Sequence, residues 1–332
     1  SVVFQAGQCR IVVSEPRGTG GRAWRFLQKH PEGVGTLVFR VEDIENTFRL
    51  IESRGGTPMS GILRSRLSDG TRFAQFSITT PFGDTTFRFV QRQGRAIPYP
   101  GFESYTADLG GRNGFEFSHF DPITCNFPTV QPVVLWLQEV LGFERCKQVV
   151  CHTNNSPSAA QKGAGLKSVV MWDPTSKTQF VLNEPARPNF RASQINLFNE
   201  RYRGPGIQHI ALGVVDIQNA VRNLQSRGVS FLSAPDSYYE DLTARLTKRG
   251  VGPLEERLES LKALGIWVDG DSDGSYLLQI YLKSQASQFQ DQHAGPFFLQ
   301  MIQRRGSTGF GSGNFRTLFE SIQKTENHNY AR

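Results

Sequence analysis

One unit recurs three times along this 332-residue chain, and that recurrence limits the fold more than any other feature. The clearest copy runs Ile207-Gln208-His209-Ile210-Ala211-Leu212, then Val215-Asp216-Ile217, then an amphipathic stretch ending near Arg227-Gly228. An earlier copy reads Val34-Gly35-Thr36-Leu37-Val38-Phe39, then Glu42-Asp43-Ile44, and ends at Arg54-Gly55-Gly56. Between them lies Asp121-Pro122-Ile123-Thr124-Cys125-Asn126, followed by Val130 to Gly142. Each copy carries apolar residues at helical spacing: Ile44, Phe48 and Ile51; Val130, Val133, Val134, Leu137 and Leu141; Ile217, Val221 and Leu224. Such stripes pack on a sheet, and short strand-like runs follow each one, so the unit reads βαβββ. The fold class is therefore α+β, with tandem modules paired into curled sheets around a cavity. Stacked on one another, the copies place His209, Thr36 and Pro122 in the same slot. A metalloenzyme built from such modules would carry a histidine there, and one copy of the three has it.

The length suffices for two ordinary domains, and 38% apolar residues with 25 Phe mark a globular chain. Turn and linker residues at Ala96-Ile97-Pro98-Tyr99-Pro100-Gly101 and Gly110-Gly111-Arg112-Asn113-Gly114 divide it into residues 1–110 and 111–332. The first domain starts late, without its opening strand and helix, so the natural polypeptide is expected to extend beyond Ser1. Ser1-Val2-Val3-Phe4 reads as strand rather than signal peptide, and no run of 18 apolar residues could span a membrane. Cys9, Cys125, Cys146 and Cys151 show no CxxC spacing, which points to reduced, mostly buried thiols. The location expected is intracellular and soluble, with cytoplasm and organelle matrix not separated. A net charge of +7 with scattered basic residues, no Lys/Arg block and no RNA-binding signature argues against nucleic acid. It suggests an acidic neighbour, an organellar matrix or simple solubility; the partners expected are proteins of a larger assembly or further copies in a homo-oligomer.

Longer matches make the chain resemble the 4-hydroxyphenylpyruvate dioxygenases of the vicinal oxygen chelate superfamily. They are Gly206 to Leu212, Leu182-Asn183-Glu184-Pro185, Ser193-Gln194-Ile195, Ser237-Tyr238-Tyr239, Asp273 to Ile280, and Ile302-Gln303-Arg304. Gly309-Phe310-Gly311-Ser312-Gly313-Asn314-Phe315 follows, leading into a terminal gating helix with Leu318 and Phe319. The resemblance covers the second half closely and the first half more loosely. It implies oxidation of an aryl 2-oxo acid by molecular oxygen at a non-haem Fe(II), in tyrosine catabolism. Such a site takes two imidazoles and one carboxylate on one face of the metal.

Here the ligand positions depart from the family. His209 stands where the pattern has a histidine. The pattern Asp-His-x-Thr-x-Asn reads Asp121-Pro122-Ile123-Thr124-Cys125-Asn126, and Pro122 has no donor atom for iron. Phe-Phe-x-Glu-x-Ile-Gln-Arg reads Phe297-Phe298-Leu299-Gln300-Met301-Ile302-Gln303-Arg304, so a neutral Gln300 amide replaces the carboxylate. His119, three residues before Pro122, should face away from the pocket by strand alternation, and only a bulge or register shift would turn it inward. Around the ligands the resemblance matches Ser168, Asn183, Gln194, Gln208 and Gln279 to polar residues that orient substrate. It matches Asn314 and Phe315 to the gate, and Tyr281 to a ring that stacks on substrate opposite Phe315. Amides and aromatic faces could hold an aryl carboxylic acid without iron, or could simply maintain the fold.

Three lookalikes carry no function. Asp269-Gly270-Asp271-Ser272-Asp273-Gly274 opens like a calcium loop but has Ile280 at the twelfth position. Gly309 to Gly313 lacks the Lys-Ser/Thr of a phosphate loop, and His152 has no base-and-nucleophile pattern near it. The polar Gln285 to Gly295 stretch reads as a long exposed loop, either an ordinary tolerated insertion or a place for a partner contact. Two functions remain. One is a dioxygenase fold that has lost its iron, with no cofactor, retained as a binding module or structural subunit. The other is a working Fe(II) dioxygenase of 4-hydroxyphenylpyruvate or a related aryl 2-oxo acid. Loss of two ligands out of three favours the first.

Overall fold

A computed structural model describes residues 1–67, 70–94, 100–103, 113–152, 165–186, 190–191, 193–270, 273–291, 294–315 and 317–318. The chain opens with an antiparallel hairpin, β1 (Val2–Ala6) and β2 (Cys9–Val13), and a helix, Arg22–Lys29. The first complete module then runs β3 (Thr36–Arg40), helix Ile44–Ser53, β4 (Leu63–Arg66), β5 (Arg72–Ile78) and β6 (Thr86–Gln93). The second runs β7 (Phe117–Asn126), helix Gln131–Leu141, β8 (Glu144–His152), β9 (Gly165–Trp172) and β10 (Gln179–Ala186). The third runs β11 (Gly206–Val214), helix Ile217–Gln225, β12 (Trp267–Gly270), β13 (Tyr276–Tyr281) and β14 (Phe298–Arg305). Strand order within each is first, fourth, third, second.

The first strand always lies parallel to the fourth, which is antiparallel to the third. A parallel neighbour cannot be reached by a tight turn, so the helix is needed as a crossover. The second and third modules join by their first strands, β7 antiparallel to β11, giving one eight-stranded curled sheet. The α+β expectation of tandem βαβββ modules holds in all three places.

Local chemistry explains where the module helices begin. Asp43 and Asp216 occupy the same place in their copies, and each carboxylate accepts the backbone N–H three residues on, Asn46 at 2.9 Å and Asn219 at 3.0 Å. The middle copy has Val130 there, which offers no such oxygen. The Val130 N–H instead donates to Glu184 Oε2 of β10 at 2.7 Å. The apolar stripes face their sheets: Ile44, Ile51, Val133, Val134, Leu137, Ile217 and Val221 are all buried.

One apolar core runs from the 36–93 sheet into the second module. Phe82, fully buried between β5 and β6, has ring centroids at 5.1 Å from Phe87, 5.3 Å from Phe127 and 5.4 Å from Phe180. His30 adds a polar tie, with Nδ1 2.8 Å from the Tyr202 carbonyl and Nε2 2.8 Å from Asp84 Oδ2. The first residues behave differently from a simple 1–110 unit. Their hairpin lies along β7, where Gln8 N–H donates to the Ser118 carbonyl at 2.9 Å. The boundary at 110/111 lies outside the described residues.

Gln285 to Gly295 is not a simple exposed loop. Ser284 caps a short helix, Gln285–Phe289, and Gln288 Oε1 accepts the Ser230 N–H at 3.1 Å; Gln285 to Gln288 are half-buried, whereas Phe289, Gln290 and Asp291 are exposed. A polar Gln-rich run hid the cap-helix signal. Cys9 and Cys125 are buried free thiols, whereas Cys146 is exposed. Among the described residues no helix is long and apolar enough to cross a membrane. Phe82→Ala should cost about 3–5 kcal/mol. Urea unfolding followed by tryptophan fluorescence and far-UV circular dichroism should shift together; separate transitions would show that the sheets do not share one cooperative core.

Candidate functional site

The concave face of the eight-stranded sheet holds a cavity lined by Pro122, Thr124, Asn183, Gln208, His209, Tyr281 and Gln300, with Leu166, Val181, Phe310, Phe315 and Leu318. Pro122 and Thr124 come from β7, Gln208 and His209 from β11, and Gln300 from β14. Those strands are neighbours in the order β14-β11-β7, so residues far apart in sequence converge.

Of three irregularities in the β7–β11 seam, two border the cavity, and the third falls at Ser118-His119. Ile207 pairs with Cys125 and His209 with Thr124, so β11 carries an extra residue, Gln208. Adjacent strand residues normally point to opposite faces, and the extra residue lets both Gln208 and His209 reach the cavity. Farther along, Ile210 pairs with Ile123 and Leu212 with Phe120, so here β7 carries the extra residue, at Asp121-Pro122. Proline lacks the N–H a ladder needs, and a bulge is where a sheet tolerates it. This bulge does not bring His119 inward. Its side chain is 53% exposed, with Nδ1 2.8 Å from Ser118 Oγ and Nε2 3.7 Å from Asp121 Oδ2. Thr36, in the corresponding slot of the first module, is taken up by Thr86 Oγ1 at 3.2 Å and Arg22 Nε at 3.3 Å.

His209 stacks on Phe298 with ring centroids at 4.8 Å and meets Tyr281 edge-on at 5.6 Å. Burial drives its pKa down to about 3, so the imidazole is neutral. Nδ1 lies 3.2 Å from Gln208 Oε1; the carbonyl oxygen accepts, so Nδ1 carries the proton and Nε2 presents its lone pair. Gln300 Nε2 donates to Gln279 Oε1 at 2.9 Å. Asn183 Nδ2 donates to Asn126 Oδ1 at 3.1 Å, while Asn183 Oδ1 accepts from Ser168 Oγ.

The remaining expected residues are spread more widely. Ser168 and Gln279 lie directly behind the wall, bonded to lining amides. Gln194 and Asn314 do not line the cavity. Gln194 is the half-buried first residue of helix Gln194–Tyr202. Asn314 sits in a 3-10 turn, where its Oδ1 accepts from Tyr238 O–H at 2.9 Å. Sequence reasoning missed Thr124, Leu166, Val181, Phe310 and Leu318. Stepping by two along the strands from Pro122, Ser168 and Asn183 finds the first three.

The segment that the resemblance matches to a gate lies over the cavity and is anchored. Phe310, Phe315 and Leu318 cover the cavity, and the described residues end with Leu318. Gly313 N–H donates to Asp269 Oδ2 at 2.8 Å, and Arg249 Nη1 donates to Asp269 Oδ1 at 2.5 Å, so the calcium-like aspartate is already committed. Gly311 has φ 75°, and a Cβ there would lie 2.3 Å from Gln279 Oε1. Only glycine permits that approach. The space left open is about 20 Å³, room for roughly one water.

These residues do not fit Fe(II). Pro122 offers no donor, Gln300 offers a neutral amide, and the imidazole of His209 stands alone. Among the described residues no group of three His, Cys, Asp or Glu side chains could hold a metal ion. Beside Pro122, Asp121 is held by Arg304, whose Nε and Nη2 donate to the carboxylate at 2.5 and 3.0 Å. Arg304 Nη1 also reaches the Ser307 and Gly309 carbonyls at 2.8 and 2.6 Å, which ties β7 to the base of the gate.

Comparison with known proteins places this geometry. The model of the Glyoxalase/Bleomycin resistance protein/Dioxygenase superfamily matches residues 119–248. The 4-hydroxyphenylpyruvate dioxygenase of Yarrowia lipolytica is 33% identical over 331 residues, covering 96% of this chain and 80% of the relative. That of Danio rerio is 35% identical over 310 residues, covering 90% and 73%. A mutant 4-hydroxymandelate synthase from Streptomyces coelicolor superposes with a TM-score of 0.74 at 22% identity, over 98% of this chain and 86% of its own, a likeness of fold.

For Asp121, burial pushes the carboxyl pKa up, but the hydrogen bonds from His119 and Arg304 outweigh it and the net shift is downward. A lowered folded pKa stabilises the fold above the unfolded value of about 3.9, and that contribution fades as pH falls through the folded pKa. Asp121→Asn should therefore lose about 3 kcal/mol at pH 7, leaving Arg304 uncompensated. In chemical denaturation the gap between variant and parent should narrow below pH 4. A gap independent of pH would remove the charge from the explanation.

Proposed function

This chain belongs to the 4-hydroxyphenylpyruvate dioxygenase family, and from that premise we propose that it is a member that no longer holds Fe(II) and serves as a binding or structural subunit. One observation carries the proposal. The three strand positions that would supply the metal ligands converge on one cavity, and two of them are occupied by Pro122 and Gln300. The scaffold of the site is intact while its donor chemistry is not. A neutral amide does not offset the charge of a divalent ion as a carboxylate does, and one imidazole cannot supply the rest. The amides that remain bond to one another, Gln300 to Gln279 and Asn183 to Asn126, and Asn126 Nδ2 and Gln279 Nε2 are left without a partner among the described residues. A structural role also suits the basic balance of the chain, which favours an acidic partner.

A working Fe(II) dioxygenase of 4-hydroxyphenylpyruvate, or of a related aryl 2-oxo acid, is the second reading. The names of relatives matching 90% or more of the chain favour it. Reconstitution with Fe(II) under anaerobic conditions separates the two. The purified chain should retain far less than one iron per molecule and show no oxygen uptake with 4-hydroxyphenylpyruvate. The double variant Pro122→His, Gln300→Glu should raise iron content toward one per chain. Stoichiometric iron in the unaltered protein, or robust turnover, would overturn the proposal.

A further inference from the structure

We infer that the cavity beside His209 selects a neutral, hydroxyl-bearing aromatic molecule, a simple phenol, over any aryl carboxylate. This rests on the reading above that no iron is held, and it narrows the ligand class from the aryl carboxylic acid expected from sequence.

Among the described residues that line the cavity there is no Lys, Arg, Asp or Glu. Of the cations around the wall, Arg304 is bonded to Asp121 and two backbone carbonyls, Lys167 to Glu184 at 2.8 Å and Arg249 to Asp269, while Lys147, exposed on β8, has its Nζ over the Phe310 ring, 5.7 Å from the centroid. In an iron-holding relative the metal would supply the positive charge for a 2-oxo carboxylate. Here no protein cation replaces it. A carboxylate entering this wall would lose its hydration and gain only neutral dipoles, an exchange that disfavours buried ions.

A hydroxyl group meets the opposite situation. Nε2 of His209 presents a lone pair, because Nδ1 holds the proton toward Gln208. The ring is fixed between Phe298 and Tyr281, so that lone pair has a set direction. Gln208 lines the same wall with an amide whose nitrogen can donate to a hydroxyl oxygen. One O–H can donate to His209 Nε2, while the Gln208 amide, bonded at Nδ1, lies on the opposite edge of the ring and is left for a second polar atom. Phe310 and Tyr281 supply aromatic surface for the attached ring. The open space of about 20 Å³ is smaller than a phenol, so the ring takes the place of Phe315 and Leu318 as the gate withdraws.

The test uses the full chain treated with chelator and titrated calorimetrically at pH 7 with 4-methylphenol, 4-hydroxyphenylacetate and 4-hydroxyphenylpyruvate. The phenol should bind at least tenfold more tightly than either acid. His209→Phe, which keeps an aromatic ring but removes the acceptor, should weaken phenol binding at least fivefold. His209→Gln, which restores an acceptor, should recover part of it. Equal or tighter binding of an acid to chelated protein overturns the inference, as does absence of phenol binding or indifference to His209→Phe. Acid binding that appears only after Fe(II) is added overturns the iron-loss reading while leaving the phenol preference of the metal-free chain standing.

Discussion

The antiparallel pairing of β7 with β11 is the contact on which the rest of the site depends. It joins two modules that otherwise share only their design, and it turns two four-stranded units into one curved sheet with a concave face. A uniform seam would send alternate side chains to opposite faces without exception. This seam has one extra residue on β11, Gln208, and two on β7, at Asp121-Pro122 and at Ser118-His119. The first irregularity brings neighbouring Gln208 and His209 to the same cavity. The second accommodates a proline within a strand and leaves His119 at the surface beside Asp121.

The cavity is electrically quiet, and that follows from what surrounds it. Every acidic group near the wall has a cationic partner that holds it outward: Asp121 with Arg304, Glu184 with Lys167, Asp269 with Arg249. The wall itself is aromatic, aliphatic and amide. A buried histidine in such surroundings stays neutral, since nothing compensates its charged form. The same three ion pairs have structural duties. Glu184 caps the helix of the second module, Asp269 holds Gly313 of the gate, and Arg304 links β7 to the carbonyls beneath Phe310. Charge in this molecule is spent on fastening elements around the cavity, and the interior of the cavity receives none.

Much of this was legible in the residues. The βαβββ repeat could be read because helix and strand periodicities are local properties, and three copies reinforce one another. The departures at Pro122 and Gln300 were legible too, because a proline or an amide has no chemistry that context could alter into a metal ligand. Alternation predicted correctly that His119 would face away. Other features were hidden. Gln194 and Asn314 match family positions, yet one begins a helix and the other bonds Tyr238 away from the wall. The short helix at Gln285–Phe289 escaped notice because its cap, Ser284, precedes a run of polar residues with no apolar period. The hairpin of β1 and β2 joins β7 rather than the 36–93 sheet, a long-range choice that no local pattern encodes.

The sequence by itself determined the module type, the number of copies and the donor chemistry at each ligand position. These depend on covalent identity and on periods of two or 3.6 residues, both readable along the chain. Only the tertiary structure decided that Pro122, His209 and Gln300 line one cavity, that its described lining carries no charged side chain, and that Phe310, Phe315 and Leu318 cover it. Those facts depend on strand register and on which cation each carboxylate meets, and both are settled by packing between segments far apart in sequence.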